Sequence, residues 1–576
     1  MKRNNIFKGL SALAVAATLA ACSSDYLDLQ PISQVSNDEI TSDETAMRLV
    51  VYGMCESMYC QYSSLYDFRW FNGEPWFSMV YGDVNGQDYI SLFWQNSLVT
   101  VANWGSINRN TYTADFIPWV YGYNLINPAN MVISADNPEN AENIKGEFAF
   151  RLAQAYTLRA HAYYRLHQVY GPAWGYSDNG QALSVILRTE ATNADTDPNA
   201  PLATTNEVLN QIYSDLDRAL ELYKISNFSR EYTWEPDMSV AQGIYARAAL
   251  LKTDQASWQK AYDMAKAAQE GYSIMEAQEY KMGFASPTSE WMWASPGSSA
   301  GIYFASFGAT YACNGAYPCN WATVGAGAID YNLYKQVQNA NDVRCELYFT
   351  PDKVNRQLQA QFYRDENCDP ATMDINFGPD LAPAVQEFAM NLYDEIGRPN
   401  GWIAPFNYNY FDQATLGIDL EGQTIQFGAQ FKFWGTDSYS SSSFPYMRAS
   451  EMLLVEAEAA CHLGLYSEAQ KCLDAVNSKR ISGYTGTTKT GDDLLNEVKL
   501  YRRFELWGEG FSWFDYKRWE EAIDREEWDP TTRSGNWTPS LSGTLEPGLF
   551  NGWKWAIPQA ESLYNTAITQ TDDQSM

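Results

Sequence analysis

Apolar positions late in the chain fall at helical spacing. Within residues 444–479, Leu453, Leu454, Ala457 and Ala460 recur at three- and four-residue intervals and form one apolar face. Gly464 breaks the period, and Tyr466, Ala469, Leu473 and Val476 restart it on a second helix. Ala457, Ala459, Ala460 and Ala469 are small enough to let two helix axes approach closely, and a large residue three positions before an Ala opens the second helix. This is tetratricopeptide-style packing. The device recurs between Val240 and Gly271, where Tyr245, Ala248, Leu250 and Leu251 should face Trp258, Ala261, Ala265 and Ala268. Further helices are predicted from Glu39 to about Tyr62, around Trp119 to Asn130, from Glu142 to Tyr170 and from Asn206 to Tyr223. Gly171-Pro172 stops the third of these, and Thr204 or Thr205 caps the fourth. Three or four helical pairs, around 120–170, 205–271 and 449–479, should stack into one right-handed scaffold. The expected fold is therefore predominantly all-α, with a few short strands.

Two stretches lack that period. Residues 69–118 and 272–443 are rich in Gly, Pro and aromatic side chains. Long irregular segments on a rigid scaffold are where function concentrates. Within the second, Trp291 and Trp293 alternate as in a half-buried strand, and Phe427 to Trp434 reads as another short strand.

Four ordered patterns carry a family resemblance. Pro445-Tyr446-Met447-Arg448, followed by Glu451 and Leu454, resembles the "YP-x-RxxExxL" segment of the SusD-like (RagB/SusD) family of outer-membrane nutrient-binding lipoproteins. Residues 498–519, with Arg502, Glu505, Leu506, Glu509, Gly510, Asp515, Arg518 and Trp519, resemble its "ExRxxELxxEGxRxxDLxRW" signature. Trp555, Ile557, Pro558 and Glu561, with Asn565 after them, match its "WxIPxxE" element. Near the start, Asp25-Tyr26-Leu27-Asp28 and Pro31 follow Cys22 as in its "C…DxLDxxP" opening. Trp119 to Asn130, Gly82-Asp83 and Asp342-Val343-Arg344 also have family counterparts, the last read as structural. The resemblance implies a non-catalytic glycan-binding lipoprotein that acts as a lid on a SusC-like TonB-dependent barrel.

The N-terminus agrees. Lys2, Arg3 and Lys8 precede an apolar run from Leu10 to Ala21, which is short of the roughly twenty residues a spanning helix needs and reads as a signal peptide. Leu19-Ala20-Ala21-Cys22 is a lipobox, so Cys22 is the expected lipid attachment site. Residues 1–21 are then the signal, 22–40 a lipid-anchored tether, and 41–576 one body. Its scaffold is expected in 41–62, 119–271 and 444–525, and its binding parts in 69–118 and 272–443. Lipid would anchor the chain to the cell outer membrane without spanning it.

Composition narrows the partners. A net charge of -31 argues against nucleic acid and anionic membrane surfaces. Aromatic content is 15%, which suits stacking on neutral sugar rings, although aromatics also dominate cores. Of nine cysteines, Cys55/Cys60 and Cys313/Cys319 are the nearest local pairs, although an i, i+5 spacing on a helix points poorly for bridging. No paired CxxC spacing favours zinc, and no metal or cofactor is expected.

Rings that bind by stacking must lie outside the helical periods. Phe93, Trp94 and Trp104 form one such cluster, and Tyr303, Tyr311, Tyr317 and Trp321 the other. The family resemblance places sugar-binding aromatics in these two regions. Asp83, Asn96 and Asn314 are the polar candidates beside them. No enzyme is expected: 70 acidic residues make any carboxylate pair uninformative, and P-loop, Rossmann and GxSxG patterns are absent. Two alternatives remain: the same lid role with a peptide or other non-glycan cargo, and a glycoside hydrolase.

Overall fold

The computed structural model describes residues 37–59, 73–90, 101–107, 113–192, 195–281, 286–297, 327–348, 442–527 and 541–568, with a few isolated positions and two-residue strands besides. Helices dominate them. We label the principal ones α1 (Glu44–Tyr59), α2 (Thr113–Ile133), α3 (Gly146–Tyr170), α4 (Thr205–Ser226), α5 (Met238–Ala249), α6 (Gln255–Ala268), α7 (Ala449–His462), α8 (Tyr466–Asn477), α9 (Gly491–Glu505) and α10 (Ser512–Trp519). They stack in sequence: α2 on α3, α3 on α4, α4 on α5, α5 on α6. The next neighbour of α6 is α7, nearly two hundred residues later, which packs in turn on α8 and α9. The small-residue faces make this close stacking possible. Ala246, Ala248, Ala249, Ala261, Ala265, Ala268, Ala457, Ala460 and Ala469 are all buried.

Local chemistry explains the helix ends. Thr204, rather than Thr205, caps α4: its Oγ1 accepts from Glu207 N–H at 3.2 Å, while Glu207 Oε2 accepts from Thr204 N–H at 2.8 Å, a reciprocal capping box. Asp237 and Asp254 cap α5 and α6 in the simpler way. The hairpin α7–α8 turns at Gly464, whose φ of 74° an L side chain rarely adopts.

α3 is the most deeply buried helix, so its cations need partners inside the protein. Arg151 bonds Glu235 at 2.6 Å, Arg159 holds Asp215 in a bidentate pair, and Arg165 meets Glu74. Arg159 is buried in this helix, and Asp215 of α4 is what lets it stay there.

A second polar core ties the irregular segments to the stack. Strand β1 (Trp291–Ala294) pairs antiparallel with β2 (Pro445–Arg448), which leads directly into α7. Arg448 bonds Glu290, Glu505 and Glu509; Arg480 bonds Glu290 and Glu505; Arg344 bonds Asp342 and Glu505; Lys432 bonds Glu509. Four cations and four carboxylates thus balance in a region from which solvent is excluded. The Asp342-Val343-Arg344 element is structural, as the sequence suggested.

Three expectations need correction. β1 is buried on both faces, because α5 lies against it and Trp293 donates through Nε1 to the Trp234 carbonyl at 2.9 Å. Of the strand expected over Phe427 to Trp434, the described residues show a single bridge, Gln430 to Tyr348. Cys55 is a buried free thiol rather than half of a local bridge. Cys60, Cys313 and Cys319 lie outside the described residues, as do Cys22, the signal segment and most of the tether.

Candidate functional site

The two irregular segments meet at one short ribbon. Tyr89–Ile90 pairs antiparallel with Ala328–Ile329, with Tyr89 opposite Ile329 and Ile90 opposite Ala328. The ribbon continues through Asp330 N–H, which donates to the Asp88 carbonyl at 3.0 Å. Residues 91–100 leave directly from Ile90, and residues 298–326 arrive directly at Gly327. The bases of both loops are therefore fixed side by side, although 237 positions separate Ile90 from Gly327.

The underside of the ribbon is aromatic and charged. Tyr89 stacks on Trp507 with ring centroids 5.1 Å apart, and Trp507 Nε1 donates to the Asp88 carbonyl at 2.7 Å. The Asp88 carboxylate accepts from Arg503 Nη2 at 2.6 Å and from Ser512 Oγ at 3.0 Å. Gly82 sits in a π-helical turn, Ser78–Val84, pressed against Gly510; a Cβ at Gly82 would lie 2.1 Å from the Gly510 carbonyl oxygen. The family signature of residues 498–519 thus supports the loop base from below.

Arg525 pins the turn that follows the first loop. Its guanidinium lies between the rings of Trp104 and Trp537, 4.3 and 4.4 Å from their centroids. It donates to the carbonyls of Gly86 at 2.6 Å and Val84 at 3.2 Å, and also to that of Ala102. Burial pulls its pKa down to about 9. Trp537 Nε1 donates to Asp330 Oδ2 at 2.9 Å, while Asp330 Oδ1 accepts from Leu333 N–H. Burial, and secondarily the negative charge of Asp88, push the Asp330 carboxyl up to about 6. The Asp88 and Asp330 carboxylates of this frame are engaged with Arg503, Ser512, Trp537 and the Leu333 N–H. No group of three or more His, Cys, Asp or Glu residues suited to a metal ion occurs among the described residues. The frame fixes the loop bases in advance, which is what binding through loop-borne rings requires.

Of the residues predicted to bind ligand, two fall within the described part. Trp104 is half-buried, at φ 61°, with one ring face under Arg525 and Nε1 donating to the Asn85 carbonyl at 3.0 Å. Asp83 corrects the sequence reading: it is 1% exposed and accepts from Gly510 N–H at 2.8 Å, so its carboxylate faces the interior. Trp94, Asn96, Tyr303, Tyr311, Asn314, Tyr317, Trp321 and Phe93 lie outside the described residues. The sequence reading passed over Arg525, Trp537 and Asp330. Arg525 ends a short strand, Ile523–Arg525, in which no periodic pattern distinguishes an arginine that holds carbonyls from a surface one.

Comparison with known proteins agrees with this architecture. The SusD family model matches residues 429–571, and a SusD-like model described as starch-binding and associating with the outer membrane matches residues 25–250. The chain belongs to the SusD-like family. Solved structures share the fold. A SusD-like carbohydrate-binding protein from Bacteroides vulgatus superposes with a TM-score of 0.68 at 21% identity, over 92% of this chain and 98% of its own. A SusD superfamily protein from Bacteroides fragilis gives 0.63 at 19%, over 92% and 100%. Another from Bacteroides thetaiotaomicron gives 0.62 at 18%, over 91% and 99%. No curated protein matches the chain.

Proposed function

We propose that this protein is a surface-exposed outer-membrane lipoprotein, anchored through Cys22, that binds oligosaccharide or polysaccharide and does not cleave it. Trp94, Trp104, Tyr303, Tyr311, Tyr317 and Trp321 supply stacking faces, and Asn96 and Asn314 supply hydroxyl contacts. The captured glycan passes to a SusC-like TonB-dependent transporter. The observation that carries this reading is the ribbon between Tyr89–Ile90 and Ala328–Ile329, because it sets the bases of both aromatic clusters next to each other. Along the chain Trp94 is four residues from Ile90 and Trp321 six from Gly327. The match to a starch-binding, outer-membrane-associating family and the likeness to a carbohydrate-binding protein support glycan as cargo and the outer membrane as location.

Affinity electrophoresis of the chain from Ser23 onward, through gels containing different polysaccharides, tests the reading. Retardation by one glycan, abolished in Trp94→Ala and Trp321→Ala, is the expected result. A folded protein that no glycan retards would move the cargo to peptides or other nutrients. Release of reducing ends from the retarding glycan would overturn the non-catalytic assignment. Copurification of a TonB-dependent barrel with the full-length chain from native membranes tests the transporter partnership.

A further inference from the structure

A second cleft lies elsewhere on the molecule, between α2, the segment around 186–198 and the C-terminal helix Gln559–Tyr564. Its volume is about 330 Å³, and it shares no lining residue with the loop base. Its walls are aromatic. Trp119 and Tyr123 approach at 4.9 Å between ring centroids, and Tyr564 stands at the rim with 77% of its surface exposed.

The charged groups of this cleft are engaged in building it. Arg188 donates to the carbonyls of Asp197 and Pro198. Glu561 accepts from Trp119 Nε1 at 3.2 Å and from Asn565 Nδ2 at 3.0 Å. Two amides on one face of α2 are left over. Asn127 uses Oδ1 to accept from Thr192 N–H and Oγ1–H, and its Nδ2 has no partner among the described residues. Asn124, one turn earlier, has no side-chain partner among them either, and both amides line the cleft.

The groups left for a ligand are therefore ring faces and neutral amides. Ring faces pack against C–H groups, and amides both donate to and accept from hydroxyls. A free anion would meet Glu561 and a free cation would meet Arg188, with neither charge available as a new partner. The volume is at the small end for ligand sites, room for one or two sugar rings. We propose that this cleft is a second saccharide site, for a neutral mono- or disaccharide, independent of the loop-borne site. It gives a role to residues of sequence motifs that the loop base leaves unused, Trp119 as a ring wall and Glu561 and Asn565 as groups that build the cleft.

Saturation-transfer difference NMR on the chain from Ser23 onward, with maltose, cellobiose, xylobiose and mannobiose as neutral probes and galacturonate and glycylglycine as charged ones, tests it. At least one neutral disaccharide should show transfer. That transfer should persist in Trp94→Ala/Trp321→Ala and weaken about tenfold in Tyr564→Ala/Asn124→Ala, the loss of one ring and one hydrogen bond. Circular dichroism verifies that the second variant folds; if it does not, Tyr564→Ala alone, a change at an exposed position, takes its place. Transfer that disappears in the loop variant, transfer unchanged in the cleft variant, transfer confined to charged probes, or none at all would each overturn the proposal. Polysaccharide retardation depends on the loop variant alone, so failure of the cleft and failure of the proposed function give different results.

Discussion

Replacing Glu505 by Gln tests the balanced ion cluster most directly. Glu505 is fully buried and accepts from Arg448 at 3.1 Å, Arg480 at 3.0 Å and Arg344 at 3.3 Å. Burial alone would raise its pKa, but the three guanidinium charges outweigh that and hold it well below the usual carboxylate range. Gln keeps the shape and removes one negative charge. Four cations then face three carboxylates where water cannot compensate. Breaking a buried pair by removing one partner costs about 3–5 kcal/mol, so a loss of that order is expected. Adding Arg344→Met restores neutrality at three against three, and the methionine can still pack on Phe504 and Tyr501, over which Arg344 now lies. The double variant should therefore lose less than the sum of the two single variants, by at least ~1 kcal/mol. Urea unfolding followed by circular dichroism and tryptophan fluorescence measures all three. A Glu505→Gln loss below ~1 kcal/mol, or strictly additive losses in the double variant, would refute the argument that charge balance governs this core.

Other expectations follow from single contacts. Asp330, raised from 3.8 to about 6, holds its proton more tightly when folded, so its stabilisation is complete below about pH 4 and fades as pH rises through 6. In Asp330→Asn the stability deficit relative to the unmodified protein should shrink by up to ~3 kcal/mol between pH 4 and pH 8, measured by urea midpoints at both; an unchanged deficit would contradict the shift. Thr204→Ala removes the side chain that accepts from Glu207 N–H and should cost about 1 kcal/mol in the same assay. Gly82→Ala drives a methyl group into the Gly510 carbonyl and should cost ~1–3 kcal/mol, with reduced glycan retardation because the loop base shifts. Unaltered stability there would mean that the contact relaxes freely.

The helical stack was legible because its residues repeat. Tyr466 and Ala469, behind Ala457 and Ala460, declare a close helix pair through spacing alone, and the same spacing at Trp258 and Ala261 declares a second. What remained hidden depends on distant partners. Asp83 beside Gly82 looks like a loop carboxylate until Gly510, far along the chain, is found donating to it. Trp291 and Trp293 alternate like a half-exposed strand, yet Met292 and Ala294 between and after them are buried as well. Arg525 offers no local signal, because its acceptors are the carbonyls of Val84, Gly86 and Ala102. The ribbon that joins Tyr89–Ile90 to Ala328–Ile329 is two residues per strand, too short for any alternation to register.

The seam between α6 and α7 has a consequence for how the molecule is made. The stack is continuous in space but interrupted in sequence, since α7, the helix that follows α6 in the stack, begins only at Ala449. A chain emerging N-terminus first therefore carries an uncovered apolar helix face through almost two hundred residues of further synthesis. Closing such a long loop is slow, and exposed faces of this kind invite aggregation in the interval. The Asp88–Arg503 contact, spanning 415 positions, is completed later still. Polypeptides ending before α7 should accumulate as insoluble or protease-sensitive material, and the native state is reached only when the part of the chain from Ala449 onward closes over the rest.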